Sequence, residues 1–251
     1  GRRIAQRQLL RFETKERLTS FVRASTYLLK ESCVEEVLQS SDAEMLPVDP
    51  AIDPEVLAQE IAALPREAKI LTKQGFEVYL IRREQGPSLL KEIGRLREVT
   101  FRSVGEGTGK SSDLDAFDDH YEHLLLWSPD EDAIVGAYRM ARVDRVLEKH
   151  GISGLYTATL YKFKPGFLKR LGGSVELGRS FIVKRHQKQR HSLMLLWCGI
   201  CAFVSKNPHY HTLFGPVSMS QDYTSLSKQL LVWFFKRSHR HPILSRLVRA
   251  H

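Results

Sequence analysis

A chain of 251 residues, 42% of them hydrophobic and 27% charged, can bury one sizeable core and is not composed like a disordered polymer. Its formal charge of +9 suits solubility, an anionic membrane surface, nucleic acid or an acidic protein partner, so charge alone excludes little. Its three cysteines, Cys33, Cys198 and Cys201, make no disulfide framework, and an odd count suits a reducing compartment.

In chain order, Leu9, Phe12, Leu18, Phe21, Val22, Tyr27 and Leu28 recur at helical spacing and predict one or two amphipathic helices over residues 8–31. Ser40 to Pro54, with three prolines and several acids, reads as a linker, followed by a short helix from Pro54 to about Leu64. Phe76 to Ile81 alternates like a strand. Pro87 opens a helix whose apolar stripe runs through Phe101, and Gly105 to Ser112 is a glycine-rich polar loop.

His123 to Trp127 and Ile134 to Met140 predict a hairpin around the turn Ser128-Pro129-Asp130. A strand from Ser174 to Val183 follows, then a helix from about Gln189 to Ser205. A strand from His211 to Met219 contains Gly215-Pro216, and a last helix runs from Tyr223 to about Ser238. This order predicts a mixed α/β (α+β) domain. Leu193 to Val204, the longest apolar run, is shorter than the ~20 residues of a membrane-spanning helix. Cys198 and Cys201 lie inside it. They are distant from a helix N-terminus that would stabilise a thiolate, so they are expected to pack in the core. The chain opens without the charged and apolar regions of a signal peptide.

Four clusters could carry chemistry: Arg97 with Phe101 one turn later, the acidic run Asp113 to Asp119, Val135-Gly136 with Arg139, and Glu176-Leu177-Gly178-Arg179-Ser180. Glu176 and Arg179 have opposite parity and would face apart on a regular strand; a bulge at Gly178 would bring them to one face. The Asp run lacks the sixth-position glycine of a calcium loop, and no His or Cys partner stands at zinc spacing, so no metal is expected. Gly105 lies only three residues before Gly109-Lys110-Ser111, which excludes a phosphate-binding P-loop.

Taken in order, Arg97-x-x-x-Phe101, Asp115-x-x-Asp118, Val135-Gly136-x-x-Arg139 and Glu176-x-x-Arg179 resemble the acyl-chain branch of the GNAT superfamily. That branch includes the autoinducer (acyl-homoserine lactone) synthases and the haemolysin-like ornithine and glycine lipid synthases. The likeness is stronger to the aminolipid side, in Glu92 to Arg97, Gly105 to Gly109, His123 to Trp127 and Leu213 to Ser218, and covers residues from about 70 to 238. Residues 1–45 resemble the tail of a phospholipid-type O-acyltransferase domain, which in bifunctional aminolipid synthases precedes such a module. The division implied is a helical extension over 1–45, a linker and short helix over 46–69, and a GNAT-like domain over 70–251 with a mixed central sheet flanked by helices and a basic tail.

The resemblance implies transfer of a fatty acyl group from acyl carrier protein to the amine of an amino acid, giving a lyso-aminolipid. The donor would be an acyl-phosphopantetheine thioester, with no bound cofactor. Glu176 would be the base, with Arg179, Asp115 and Asp118 beside it. Arg97, Phe101, Arg139, Ser180 and Ser218 would contact substrate, and a backbone N–H near residues 181–183 would serve the oxyanion. Leu193, Leu196, Trp197, Phe203 and Phe214 are candidates to line an acyl channel. The segment from Lys184 to Arg190 has none of the glycines of a nucleotide-cradling loop. Its Lys184, Arg185, Lys188 and Arg190 suit a carrier protein's phosphate and acidic surface. Val232 to Phe235 with Lys236 and Arg237 suits a membrane surface, which implies a cytoplasmic protein peripheral to the inner membrane face. Two alternatives remain: a signal synthase of the homoserine-lactone type, and a basic membrane- or nucleic-acid-binding module without chemistry. No nucleic-acid-binding motif appears, so nucleic acid is not an expected partner.

Overall fold

The structure, a computed structural model, describes residues 45–188, 190–219 and 223–251. The helices expected over 8–31, and Cys33, lie outside the described residues. Two compact units divide the chain: one contains residues 44–218 and 241–251, and Met219–Arg240 falls in the other.

In the larger unit the elements are α1 (Pro54–Ala63), β1 (Lys69–Lys73), β2 (Phe76–Ile81), α2 (Pro87–Arg102), β3 (Glu122–Ser128), β4 (Ala133–Arg142), α3 (Val143–His150), α4 (Thr157–Leu160), β5 (Tyr161–Phe163), α5 (Phe167–Leu171), β6 (Ser174–Ile182), α6 (Lys184–Gln187), α7 (Arg190–Lys206) and β7 (Thr212–Phe214). The other unit contributes α8 (Ser225–Ser238). Then α9 (Leu244–Leu247) and β8 (Val248–Ala250) return to the larger one. Six strands form one mixed sheet in the order β1-β2-β3-β4-β6-β7, and β5 pairs with β8 separately. All neighbours in the large sheet are antiparallel except β6 and β7. This is the mixed α/β architecture expected.

Strand periodicity explains the two cores. In β3 every residue is buried, because helices cover both faces. Leu125 and Trp127 pack with Leu89 and Ile93 of α2 and with Leu57 and Ile61 of α1. Leu124 and Leu126 point the other way, onto Leu195, Leu196, Ile200 and Phe203 of α7. A third cluster joins Tyr121, Ala141, Val143, Val146 and Leu155. Helix α2 begins with Pro87 and has no side-chain cap of its own. Glu60 of α1 accepts from the N–H groups of Ser88 (2.9 Å) and Leu89 (2.9 Å) instead, which fixes α1 against α2.

Two expectations are corrected. The strand expected over 211–219 ends at Phe214, because Gly215 approaches β6 so closely that a Cβ would strike the Leu177 carbonyl, and Pro216 has no N–H for a ladder. Cys201 is exposed and Cys198 half-buried, since the core face of α7 is taken by Leu196, Ile200 and Phe203. In the described part of the segment read as a linker, Leu46 N–H donates to the Gly109 carbonyl (2.9 Å) and Asp49 N–H to that of Ser111 (3.0 Å).

Candidate active site

The four sequence clusters converge on the α2 side of the sheet. Arg97 of α2 is buried and grips Asp118 through two parallel bonds of 3.0 and 2.9 Å. Its Nε also stands 3.4 Å from Asp113. Arg139 of β4 donates to Asp115 at 2.6 Å and lies 3.3 Å from Asp118. Arg179 of β6 lies 3.6 Å from Asp113 and 3.8 Å from Asp115. Three guanidiniums thus face three carboxylates, a formally neutral group that tolerates burial. The Asp-rich segment is a backbone device as well as a charge store. Asp115 accepts from Phe117 N–H (2.9 Å) and Asp118 from Asp115 N–H (2.8 Å), closing a single 3₁₀ turn over Ala116–Asp119.

Burial alone would raise the Asp118 carboxyl, but its bonds to Arg97 and the fields of Arg97 and Arg139 hold it well below the usual carboxylate range. Asp113 goes the other way, because burial outweighs its arginines. Burial lowers the neighbouring His123 to about 4, so the ring is neutral. An aromatic box surrounds the Arg139 guanidinium: Tyr156, Tyr121 and Phe117 lie 5.1, 5.2 and 5.7 Å from it.

The bulge needed to unite Glu176 with Arg179 exists, one residue later than expected. Ala137 faces Phe181 while Arg139 faces Gly178, so three steps along β6 match two along β4. The left-handed residue is Arg179, with φ +49°, and Gly178 has open space where a Cβ would stand. The bulge switches parity. Leu177 before it and Ile182 after it both pack on the α7 side, and Phe181 packs toward α2.

Glu176 is itself enclosed. It is 1% exposed, and its two oxygens accept from the Tyr121 hydroxyl (2.5 Å) and the Thr157 N–H (2.6 Å). The Tyr121 hydroxyl accepts from the Tyr156 N–H (2.8 Å). Burial, with the Glu176 charge, pushes the Tyr121 phenol far above its ordinary value. Glu176 therefore fixes the turn that carries Tyr156, and the Tyr156 ring lies 5.3 Å from the Arg179 guanidinium. Glu176, expected to take the amine's proton directly or through water, thus has both oxygens engaged by Tyr121 and Thr157 in this geometry.

The opening lies where β6 and β7 part. They pair only from Ser174–Thr212 to Glu176–Phe214, then diverge around a cavity of about 620 Å³. Phe101, Tyr138, Leu177, Trp197, Leu213 and Phe214 give it an apolar wall. Glu106, Arg179, Ser180 and Ser218 supply its polar groups. A second cavity of about 370 Å³ shares Phe101, Glu106, Tyr138, Ser180 and Ser218 and extends to Leu193 and Leu196. Of the proposed channel residues, Phe203 lines neither and stacks on Tyr210 in the core. The Val183 N–H, within the stretch expected to serve an oxyanion, donates to the Val135 carbonyl (2.9 Å).

Lys184 and Arg185 open α6, Lys188 follows it, and Arg190 begins α7. Arg185 pairs with Glu131 at 2.7 Å. Sequence reasoning passed over two cavity residues. Tyr156 carried no signal, since its place comes from the Glu176 contacts. Glu106 was visible only as part of a glycine-rich string.

Residues 96–197 match the family model described as acetyltransferase (GNAT) domain, so the chain carries a GNAT acetyltransferase domain. Among curated proteins, it is 34% identical over 197 residues to a glycine N(alpha)-acyltransferase of Phocaeicola vulgatus, covering 74% of this chain and 60% of that protein. The corresponding protein of Bacteroides thetaiotaomicron is 32% identical over 74% of this chain and 58% of its own length. An L-ornithine N(alpha)-acyltransferase of Rhodobacter capsulatus is 30% identical over 65% and 63%. The chain thus spans about 60% of the length of the glycine N(alpha)-acyltransferases it matches. Among solved structures, an aminoglycoside acetyltransferase from an uncultured soil metagenomic sample aligns with 67% of this chain and 94% of its own. At 12% identity and a TM-score of 0.40, that likeness says nothing of acceptor or donor.

Proposed function

We propose that this chain transfers a fatty acyl group from the phosphopantetheine thioester of an acyl carrier protein to the α-amine of an amino acid, giving a lyso-aminolipid. The observation that carries the reading is the cavity between β6 and β7. One wall is apolar, as an acyl chain requires, and the other bears an arginine, a carboxylate and two serines, as a zwitterionic acceptor requires. The similarity to glycine and ornithine N(alpha)-acyltransferases supports an amino-acid acceptor, with glycine the first to try.

In this reading Arg179 holds the acceptor carboxylate. Arg139 and Arg97 act behind it, by fixing Asp118 and also Asp115 and Asp113, the two carboxylates against which Arg179 rests. Ser180 and Ser218 offer hydroxyls beside the reacting atoms, and Phe101 backs the cavity. The bulge at Arg179–Ser180 interrupts the β4–β6 ladder, and the backbone there is placed to meet the developing oxyanion. Lys184, Arg185, Lys188 and Arg190 receive the carrier's phosphate and acidic face. The donor is a substrate; no resident cofactor is invoked.

The same reading places the protein in the cytoplasm, at the inner membrane face. No helix among the described residues is long and apolar enough to cross a membrane. Helix α8 instead exposes Trp233, Phe234 and Phe235 next to Lys236 and Arg237, a pattern suited to a lipid headgroup layer. The test is incubation with acyl-loaded carrier protein and a panel of amino acids, read by mass spectrometry. An N-acyl amino acid is the expected product, and none with any acceptor overturns the reading.

A further inference from the structure

Every carboxylate in the buried ion group faces an arginine. Asp118 and Asp113 are almost fully buried against Arg97, and Asp115 is held by Arg139 and Arg179. Glu176 is closed in by Tyr121 and Thr157. Among the described residues one carboxylate lines the two adjoining cavities, and it is Glu106, in the loop after α2.

This loop is held firmly. Glu98, on the last turns of α2 and fully buried, accepts from Thr108 N–H (3.0 Å), the Thr108 hydroxyl (2.6 Å) and Gly109 N–H (2.9 Å), and from Arg102 (2.7 Å). Glu106 N–H donates to the Phe101 carbonyl (2.9 Å). Gly107 lies so close to α2 that a Cβ would collide with Arg102. From the far side Leu46 N–H binds the Gly109 carbonyl. The loop's anchors leave the Glu106 side chain reaching across to Ser218, whose hydroxyl donates to it at 2.8 Å from the segment beyond β7. Glu106 and Ser218 thus meet at one lip of the cavity, and the wall formed by the β6 bulge carries Arg179.

We propose that Glu106 is the acceptor-ammonium site and the proton acceptor of the reaction, and that Glu106 and Arg179 together bracket an α-amino acid by its two charges. The inference rests on the acyl-transfer reading for its chemistry. Glu106 takes one proton from the bound ammonium. The neutral nitrogen attacks the thioester carbonyl carbon, the C–N bond forms as the C–S bond breaks, and a second proton passes from nitrogen to the departing sulfur. The proton on Glu106 then returns to water. Ser218 is a positioning residue, which orients Glu106 and marks where the ammonium replaces it. Glu176 acts at a distance, through Tyr156.

Two measurements on the 251-residue chain test this. Calorimetry follows glycine binding without thioester. Glu106→Gln should weaken it at least about tenfold, the loss of a charge-assisted bond. Turnover with an acyl-carrier thioester compares glycine with hydroxylamine, an amine already neutral at the assay pH. Glu106→Gln should cut glycine turnover about 10²-fold or more and spare much of the hydroxylamine reaction, with Glu106→Asp retaining part of both. Glycine binding and turnover within about twofold of wild type overturn the proposal, as does equal loss with both amines. If the wild type binds glycine through Glu106 yet transfers no acyl group, the bracket stands and the acyl-transfer reading falls. If it neither binds nor transfers, both fall.

Discussion

Arg97 and Asp118 meet fork to fork at 3.0 and 2.9 Å with both side chains almost wholly buried, and each also serves other partners. Arg97 reaches Asp113, and Asp118 reaches Arg139 and the Asp115 N–H. Removing the arginine leaves two carboxylates without their main partner in a dry place. Arg97→Met should therefore cost about 3–5 kcal/mol of folding stability. Arg97→Lys keeps the charge, loses the fork, and should fall between. Urea unfolding of the three proteins gives the order directly.

The neighbouring His123 links the group to pH. Its folded-state value, lowered to about 4 by burial, lies below the ~6.5 of an unfolded histidine, so between these values the unfolded chain binds the extra proton. The stabilisation is complete above pH ~6.5 and is lost as pH falls toward 4, by up to about 3 kcal/mol. His123→Gln should flatten stability across that window. Asp118 acts lower: its depressed value means its contribution is lost only as pH falls below the ~4 of an unfolded aspartate. Thermal melts at half-unit pH steps separate the two. A wild-type curve already flat between pH 4 and 6.5 would contradict the His123 assignment.

Glu176 makes a different prediction from Glu106. A glutamine at 176 can still accept the Thr157 N–H but meets the Tyr121 hydroxyl with a changed donor balance. Glu176→Gln should remain folded and lose about tenfold in turnover as Tyr156 shifts against Arg179, with the shape of the pH–rate profile unchanged. A lost acidic limb of that profile, where a proton acceptor is itself protonated and idle, would return the proton-accepting role to Glu176.

Much of this was legible beforehand, and the limits have physical causes. The alternation of β2, β3 and β4, and Pro87 at the head of α2, show in the sequence because each is a local rule. The clustering of Arg97, Asp115, Asp118, Arg139 and Arg179 could be expected from the order of motifs, though no spacing alone brings β4 beside β6. The surroundings of Glu176 were not legible, because an acidic residue in a motif suggests exposure to substrate. Its enclosure depends on Tyr121 and Thr157, which are 55 and 19 residues away. Glu106 was overlooked because a glycine-rich loop does not reveal in which direction its single acid points. That is set by Glu98 and by Ser218, 112 residues on.

The bulge offers the last test, because the strand suggests a glycine and the structure puts the strain on an arginine. Arg179 holds φ +49°, a conformation that costs a non-glycine residue about 1 kcal/mol, while Gly178 beside it has no such φ and no neighbour within 4 Å of an added Cβ. Gly178→Ala should thus change stability by no more than about 0.5 kcal/mol, even where the added methyl intrudes on the cavity and weakens the acceptor's fit. Arg179→Ala and Arg179→Gly both remove the guanidinium and with it the hold on Asp113 and Asp115. They should differ by about 1 kcal/mol in favour of glycine, which relaxes the left-handed residue. Chemical denaturation of the three variants settles which residue turns the strand. If Gly178→Ala is the costly change and Arg179→Ala and Arg179→Gly are alike, the bulge pivots on Gly178, and the parity that unites Glu176 with Arg179 arises one residue earlier.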